Sequence, residues 1–508
     1  MRVRLLSLMF DNTSQKQILL KNSFWLAAAD GAGRLTKFLL TLYVIRTLGG
    51  FEYGRFAFAF AFVSLFSTLF DFGLAPLVTR ELARDRREEA RFAALVGLKL
   101  SIGFLVFGLI VISGFLLSPD STVRRMILVL GLTLWFGELS ATYYAFFRSH
   151  QRMEYEAWLG ILGSVALGLV GATLLGMFPV IESFAFAYLV SAVVVMVGTV
   201  FVVVSRGYPI ALEMDRRVWR RYLAMAAPLA GVGVAGSIYI FSDSVMLGYF
   251  GQIEETGLYN AALKIVGLAI IPMNLVVPVF LPAMSSALSK PHDVVQSLFD
   301  RQMEIVIFIA FMITFVVFSL ASGIIEVAFT SSFAVAGKVL QISIVMALFH
   351  YLWSPCHQIL VVYNRQRQVF FIHLAGAAVN VLLNVILIPR FSLYGAAIAS
   401  ALTQFGALCL FVGAVARYTP VVWSLSRLTP TLVAAVVAAV GLCGVLLLTS
   451  PAGLLAVAVT GIGGAVGYVA CFFGVRRIFV HTTLGRGLAS RLLSESSAGA
   501  DRAAKTEA

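Results

Sequence analysis

Charge is what this chain has least of. Only 12% of its 508 residues are Asp, Glu, Lys or Arg, against about 25% in an ordinary soluble domain. So few charges cannot clothe the surface of a soluble protein of this size. Cysteine is equally scarce: Cys356, Cys409, Cys443 and Cys471 stand singly, with no Cys-x-x-Cys pair. A disulfide framework and a zinc ribbon are therefore disfavoured, and the four thiols read as small apolar side chains. His350 and His357, seven apart, can share a helical face, yet no carboxylate or cysteine stands at ligand spacing from them, so no metal is expected. There is no Walker A string, hence no sign of ATP hydrolysis, and no Asp-x-Asp pair. No cofactor is expected.

What fills the chain instead is apolar. Hydrophobic residues make up 60% and the mean hydropathy is +0.93. A helix needs about 20 mostly apolar residues to cross the roughly 30 Å hydrocarbon core. Fourteen such runs occur, at 22–46, 55–79, 92–117, 126–147, 156–177, 183–204, 222–249, 257–287, 302–327, 338–362, 368–389, 393–416, 428–449 and 453–474. The fold class is an all-α polytopic membrane protein of about fourteen transmembrane helices. Leu5–Phe10 is too short an h-region for a cleavable signal, and no small-residue cleavage site follows it.

The basic residues orient the chain. Of 38 Lys and Arg, four (Arg34, Lys37, Lys99, Lys264) fall inside spans. Six (Arg46, Arg55, Arg124, Arg125, Lys338, Arg390) fall on one side, leaving 28 on the other. The positive excess marks the cytosol, which places both termini there, in the cytoplasmic membrane. The clusters Arg84, Arg86, Arg87, Arg91 and Arg216, Arg217, Arg220, Arg221 read as topology signals that attract anionic lipids, not as a nucleic-acid surface. The loops opposite run about ten residues or fewer, ordinary connection lengths. They leave no room for the catalytic domain of a membrane glycosyltransferase or polymerase, so the chain reads as a carrier and not an enzyme.

Some strings imitate chemistry. Gly231-Val-Gly233-Val-Ala-Gly236 matches the dinucleotide fingerprint but sits inside an apolar run, without the preceding strand. It reads as helix packing, as does Gly463-Gly-Ala-Val-Gly467.

The charges inside spans carry more information, because each costs about 2.5–3.5 kcal/mol at the bilayer centre and needs a partner or a wet path. Asp30, Arg34 and Lys37 lie within roughly 60° of one helical face. Asp30 and Arg34 can pair, leaving Lys37 alone. Asp71, Lys99, Glu138, Asp243 and Lys264 complete the set. For Asp30, Asp71 and Glu138 the simplest role is an interhelical ion pair. Arg34, Lys37 and Lys264 are candidate contacts to an anionic substrate, and Asp243 and Asp30 candidate ion-coupling carboxylates.

Two echoes divide the chain. Gly54 and Phe56 correspond to Gly257 and Tyr259, and Phe147–Arg152 corresponds to Val362–Arg367. Both relate span n to span n+6 in the same orientation, which implies two parallel six-helix halves with a substrate site between them. The expected divisions are a cytosolic segment 1–21, bundles 22–221 and 222–420, two further helices over 421–475, and a disordered cytosolic tail 476–508.

The segment Asn380-Val-Leu-Leu-Asn384-Val-Ile-Leu-Ile388-Pro389-Arg390-Phe391-Ser392-Leu393-Tyr394-Gly395-Ala396-Ala397-Ile398-Ala399-Ser400 is similar to the eleventh-to-twelfth-helix signature of polysaccharide-biosynthesis flippases, the Wzx-type O-antigen exporters and their relatives. Leu48-Gly49-Gly50…Tyr53-Gly54, Asp71-Phe72-Gly73-Leu74 and Pro228-Leu229…Asp243…Met246-Leu247-Gly248 resemble other segments of that family, within the multidrug/oligosaccharidyl-lipid/polysaccharide exporter superfamily. Ser392 departs from it, standing where the family often has glycine. The resemblance implies a MATE-like fold of two six-helix bundles plus two C-terminal helices, with spans one, two, seven and eight lining a central cavity. It implies a flippase for an undecaprenyl-pyrophosphate-type oligosaccharide, with polysaccharide polymerase or assembly proteins as further partners. A lipid II flippase or a cation-coupled multidrug exporter is the alternative.

Overall fold

The computed structural model describes residues 15–84, 89, 91–208, 212–329, 331–423, 425–449 and 453–481. The basic residues Arg86 and Arg87, the extreme N-terminus and most of the expected tail fall outside them. Among the described residues there are helices and turns and no strand. The helices are α1 (Gln15–Leu65), α2 (Ser67–Asp71), α3 (Leu74–Arg84), α4 (Phe92–Leu117), α5 (Ser121–Ser149), α6 (Met153–Met177), α7 (Ile181–Ser205) and α8 (Arg216–Tyr249). They continue as α9 (Ile253–Ala269), α10 (Ile271–Ala287), α11 (His292–Ala328), α12 (Ala334–Val362), α13 (Gln366–Tyr418), α14 (Leu425–Thr449) and α15 (Leu454–His481).

Among the described residues, twelve helical stretches are long and apolar enough to cross a bilayer, where the sequence suggested fourteen. The difference has a physical origin. Ala28–Arg84 and Gln366–Tyr418 run for 57 and 53 residues, and 53 helical residues would extend about 80 Å against a hydrocarbon core of roughly 30 Å. Each stretch covers two expected spans and is interrupted between them. The interruptions are Gly49 (φ 82°, ψ −179°) in α1 and Ser392 (φ 54°, ψ −134°) in α13. Both positions leave the helical region without adding a loop. This is a multi-pass membrane protein.

Local chemistry sets several helix starts. Asp120 caps α5 by accepting from Thr122 N at 2.8 Å, and Asp215 caps α8 by accepting from Arg217 N at 2.7 Å. Arg55 ties the first of these to the turn after Gly49, pairing with Asp120 at 2.8 Å and Glu52 at 2.7 Å.

The chain divides into two units, one ending at Gly257 and the other beginning at Leu258. In the first, Leu77, Leu82, Phe92, Tyr143, Phe146, Phe147 and Tyr222 form an apolar core. In the second, Phe299, Met303, Trp353, Phe411, Leu428, Ala435 and Tyr468 do so. The C-terminal helices α14 and α15 belong to this second core, and Arg427–Asp300 (3.0 Å) and Arg476–Glu304 (2.9 Å) fasten them to α11. Outward-facing side chains such as Leu105, Leu116 and Phe201 are exposed, as expected of a surface solvated by lipid.

Glycine does not act alike everywhere. A Cβ on Gly233 would lie 2.4 Å from Thr68 Cγ2, so that glycine brings α8 against α2. Gly463 and Gly467, expected to mark a helix contact, have nothing within 4 Å of a Cβ and are exposed on α15. The spacing permits close approach but does not demand it.

Candidate functional site

Helix α1 meets α6 through small residues. A Cβ on Gly160 would lie 3.5 Å from Ala29 Cβ, one on Gly168 3.3 Å from Thr36 Cγ2, and one on Gly33 3.4 Å from Ser164 Oγ. The close approach turns the polar face of α1 toward a cavity of about 680 Å³ inside the first unit. Asp30, Arg34 and Lys37 all line it, so the three residues that spacing placed on one face do share one. Its other walls come from α5, α6 and α7, together with Phe60 on α1.

Arg34 Nε donates to Asp30 Oδ2 at 2.7 Å. Among the described residues the terminal guanidinium nitrogens of Arg34 have no protein acceptor, and neither has the Lys37 ammonium. Formally the trio carries one net positive charge, directed into a membrane-depth space. At one end of the cavity Arg148 binds Glu156 through two hydrogen bonds, one of them Nε to Oε2 at 2.7 Å. That pair neutralises itself and leaves the cationic excess to α1.

Hydroxyls and aromatic rings furnish the rest. Ser140, Ser164 and Ser191 line the cavity, and their hydroxyl protons are spent on backbone carbonyls of Phe136, Gly160 and Gly163. Their oxygens remain acceptors. Tyr188 packs against Phe56, Phe60 and Phe184, with centroids 5.6, 6.1 and 5.2 Å away. Sequence reasoning missed these residues, although Thr133, Gly137, Ser140, Tyr144 and Arg148 repeat at three- and four-residue intervals along α5. A polar stripe at helical period was the available signal.

The other candidates lie elsewhere. Asp243 is 4% exposed on α8 and does not line this cavity. Lys264 lies half-buried on α9 of the second unit. Asp71, Lys99 and Glu138, marked in the sequence only as buried charges, come together: Lys99 Nζ stands 3.0 Å from Asp71 Oδ1 and 3.2 Å from Glu138 Oε2. In the second unit, Trp353 lies between His350 (4.5 Å), His373 (5.7 Å) and His357 (6.1 Å), and donates to Gln404 Oε1 at 2.7 Å.

Comparison with known proteins gives a consistent result. Residues 19–288 match the family described as polysaccharide biosynthesis protein. No curated protein matches the sequence. Among solved structures, the chain is similar to one titled lipid II flippase MurJ in an inward closed conformation. The TM-score is 0.73 at 13% identity, covering 88% of this chain and 98% of that one. An inward-facing multidrug resistance MATE transporter of the MOP superfamily gives 0.63 at 13% identity, covering 82% and 98%. A point mutant of the Vibrio cholerae MATE transporter VcmN gives 0.53 at 14%, covering 79% and 97%. These likenesses show the fold.

Proposed function

Because the chain belongs to the family of polysaccharide biosynthesis proteins, we propose that it flips a lipid-linked oligosaccharide of the undecaprenyl-pyrophosphate type across the cytoplasmic membrane. The reading makes it a carrier and not an enzyme. One observation supports it above others: among the described residues, two guanidinium nitrogens of Arg34 and the Lys37 ammonium in the cavity have no hydrogen-bond or salt-bridge partner. A pyrophosphate supplies the missing anion. The planar fork of Arg34 can hold two phosphate oxygens while Lys37 acts as a point charge. The volume, about 680 Å³, falls within the ~300–1,000 Å³ usual for small-molecule sites. It suits a head group and its first sugars, not a finished polymer. Lys264, on the second unit, is a further candidate contact.

Transport without a nucleotide site draws on an ion gradient, the membrane potential or substrate exchange. Asp243 and Asp30 are the coupling candidates with which this reading begins. The 28-to-6 distribution of basic residues supports cytosolic termini. Polymerase or assembly proteins and anionic lipids are the proposed partners.

The test uses proteoliposomes containing a fluorescent polyprenyl-pyrophosphate disaccharide, with a membrane-impermeant quencher reporting its leaflet. Wild type should move the probe outward, and Lys37→Ala and Lys264→Ala should reach the membrane yet move it at least tenfold more slowly. Normal transport by both variants would remove the phosphate contact from those positions. Lipid II is the second reading, favoured by the likeness to MurJ. Selective transport of a lipid II probe over the disaccharide would establish it. Export of a cationic drug with neither lipid moved would favour the multidrug alternative.

A further inference from the structure

The second crossing segment is broken at membrane depth. Helix α1 ends at Leu65, α2 lasts five residues, and Phe72 (φ 52°) and Gly73 (φ 70°) take left-handed conformations before α3 begins. A broken helix releases backbone groups that lipid cannot satisfy. Here side chains do so. Lys99 Nζ donates to the Phe70 carbonyl at 3.1 Å, and Asp71 Oδ1 accepts from Ala75 N at 3.1 Å, capping α3. The remaining Lys99 contacts are Asp71 Oδ1 and Glu138 Oε2.

We propose that Glu138, held by Lys99 beside this break, is where the protein binds the proton that couples its transport cycle. The proposal rests on the carrier reading above and replaces Asp243 and Asp30 as the first position to test. Charge counting leads to it. Two carboxylates face one ammonium, so one negative charge is left over in a setting where an unmatched charge costs about 2.5–3.5 kcal/mol. Asp71 is stabilised twice, by Lys99 and by the Ala75 amide, whereas Glu138 has Lys99 alone. Glu138 is therefore the carboxylate that takes the proton: its free oxygen gains an O–H bond and the site becomes neutral.

A metal ion fits poorly. The three N–H donors of Lys99 already point at three oxygens, so an incoming cation would meet an ammonium. The space bounded by Leu74, Leu95, Lys99 and Thr142 has no room for a water molecule. A proton needs neither room nor a displaced ligand. The Lys99 side chain is 3% exposed, whereas those of Asp71 and Glu138 are 26% and 19% exposed and can be reached by a proton.

On α1, Asp30, Arg34 and Lys37 line the cavity to whose α5 wall Gly137, beside Glu138, also contributes, and there Glu156 of α6 pairs with Arg148. Lys99 is the one charged residue of α4. Along α5, Arg148, Arg125 and Arg124 stand ten or more residues from Glu138, about 15 Å or more of helix rise. On α3, Arg80 and Glu81 lie nine and ten residues beyond Asp71. Helix α8 touches α2 through a 2.7 Å hydrogen bond between Thr68 and Ser237. Its Asp243 is six residues from Ser237, and its Arg221 is eight from Leu229, the residue facing Gly73. Tyr143 and Tyr144 on α5 and Tyr239 on α8 are the neighbouring phenols. Protonation removes the charge that draws Lys99 toward α5 and leaves it with Asp71 and Phe70 on the broken helix. Through Thr68 the change reaches α8.

Infrared difference spectra of the full chain in proteoliposomes, taken across a pH titration without substrate, test the site directly. One protonated-carboxyl band should appear as pH falls, appear only at lower pH in Asp71→Asn, where one carboxylate then faces one ammonium, and disappear in Glu138→Gln. Its loss in Asp71→Asn with retention in Glu138→Gln, or the absence of any titrating band, overturns the proposal. If Glu138→Gln does not fold, Glu138→Asp should shift the band and its titration midpoint, and an unmoved band overturns it equally. With the disaccharide probe, an inward-directed proton gradient should accelerate wild-type transport several-fold and leave Glu138→Gln unaffected. A gradient response retained in Glu138→Gln removes the coupling role. A wild type that shows the band but moves no probe instead sinks the carrier reading and leaves the proton site standing.

Discussion

A methyl group on Gly103 would sit 2.2 Å from the indole nitrogen of Trp135. The two residues fix how closely α4 approaches α5, one turn beyond Lys99 and one turn before Glu138. The Trp135 ring is wedged edge-on against Phe104 at 4.4 Å, and its Nε1 is buried without an acceptor. Gly103→Ala should overpack this contact and cost about 1–3 kcal/mol. A lowered midpoint in a detergent thermal melt, with a changed tryptophan emission, is the expected result. An unchanged melt would mean that α4 and α5 separate easily.

Arg34→Lys preserves the charge beside Asp30 but replaces a planar fork with a point charge. If two-pronged phosphate contact matters, probe transport should fall about tenfold, the equivalent of ~1.4 kcal/mol. Equal rates for the two side chains would reduce the role of Arg34 to its charge.

The orientation is open to cysteine labelling. Single cysteines placed at 250–256 and at 450–452 should react with an impermeant maleimide added to intact cells. Those near 212 and 295 should react only after the membrane is opened. Labelling of both sets from outside would contradict cytosolic termini.

Asn380 and Asn384 lie buried one turn apart on α13, the second donating to the first at 3.1 Å, and Asn380 donates to Ser400 at 3.4 Å across the break at Ser392. Asn380→Leu should weaken the join between the two arms of α13 by about 1 kcal/mol. The variant should melt earlier while still binding the pyrophosphate probe, because these residues brace the fold. Loss of binding with an unchanged melt would make them substrate contacts.

The class of fold was legible because hydrophobic runs report on the solvent directly. Their punctuation was legible in part: the expected spans part on either side of Gly49 and at Ser392, where the structure breaks the helix, but that each turn takes a single residue is not written in the apolar pattern. The polar face of α1 was visible from the spacing of Asp30, Arg34 and Lys37. The walls opposite were not, since serines, glycines and tyrosines on α5, α6 and α7 are individually common in membrane helices. Asp71, Lys99 and Glu138 were each marked as buried charges. Their meeting depends on how three segments pack, and no local pattern records that. The Gly463/Gly467 spacing failed for a related reason: it states what a helix face permits, not which face is used.

The glycine-lined seam between α1 and α6 bears on electrical work. With Gly160, Gly168 and Gly33 at the seam, little side chain separates the two backbones, so Asp30, Arg34 and Lys37 ride as a block with a formal charge of one. Carrying a unit charge across the whole membrane is worth about 2.3 kcal/mol per 100 mV. A displacement of about 3 Å along the normal, roughly a tenth of the hydrocarbon thickness, yields only about 0.2 kcal/mol. That changes a rate by less than twofold. The membrane voltage acting on this block alone does too little work to turn a cycle.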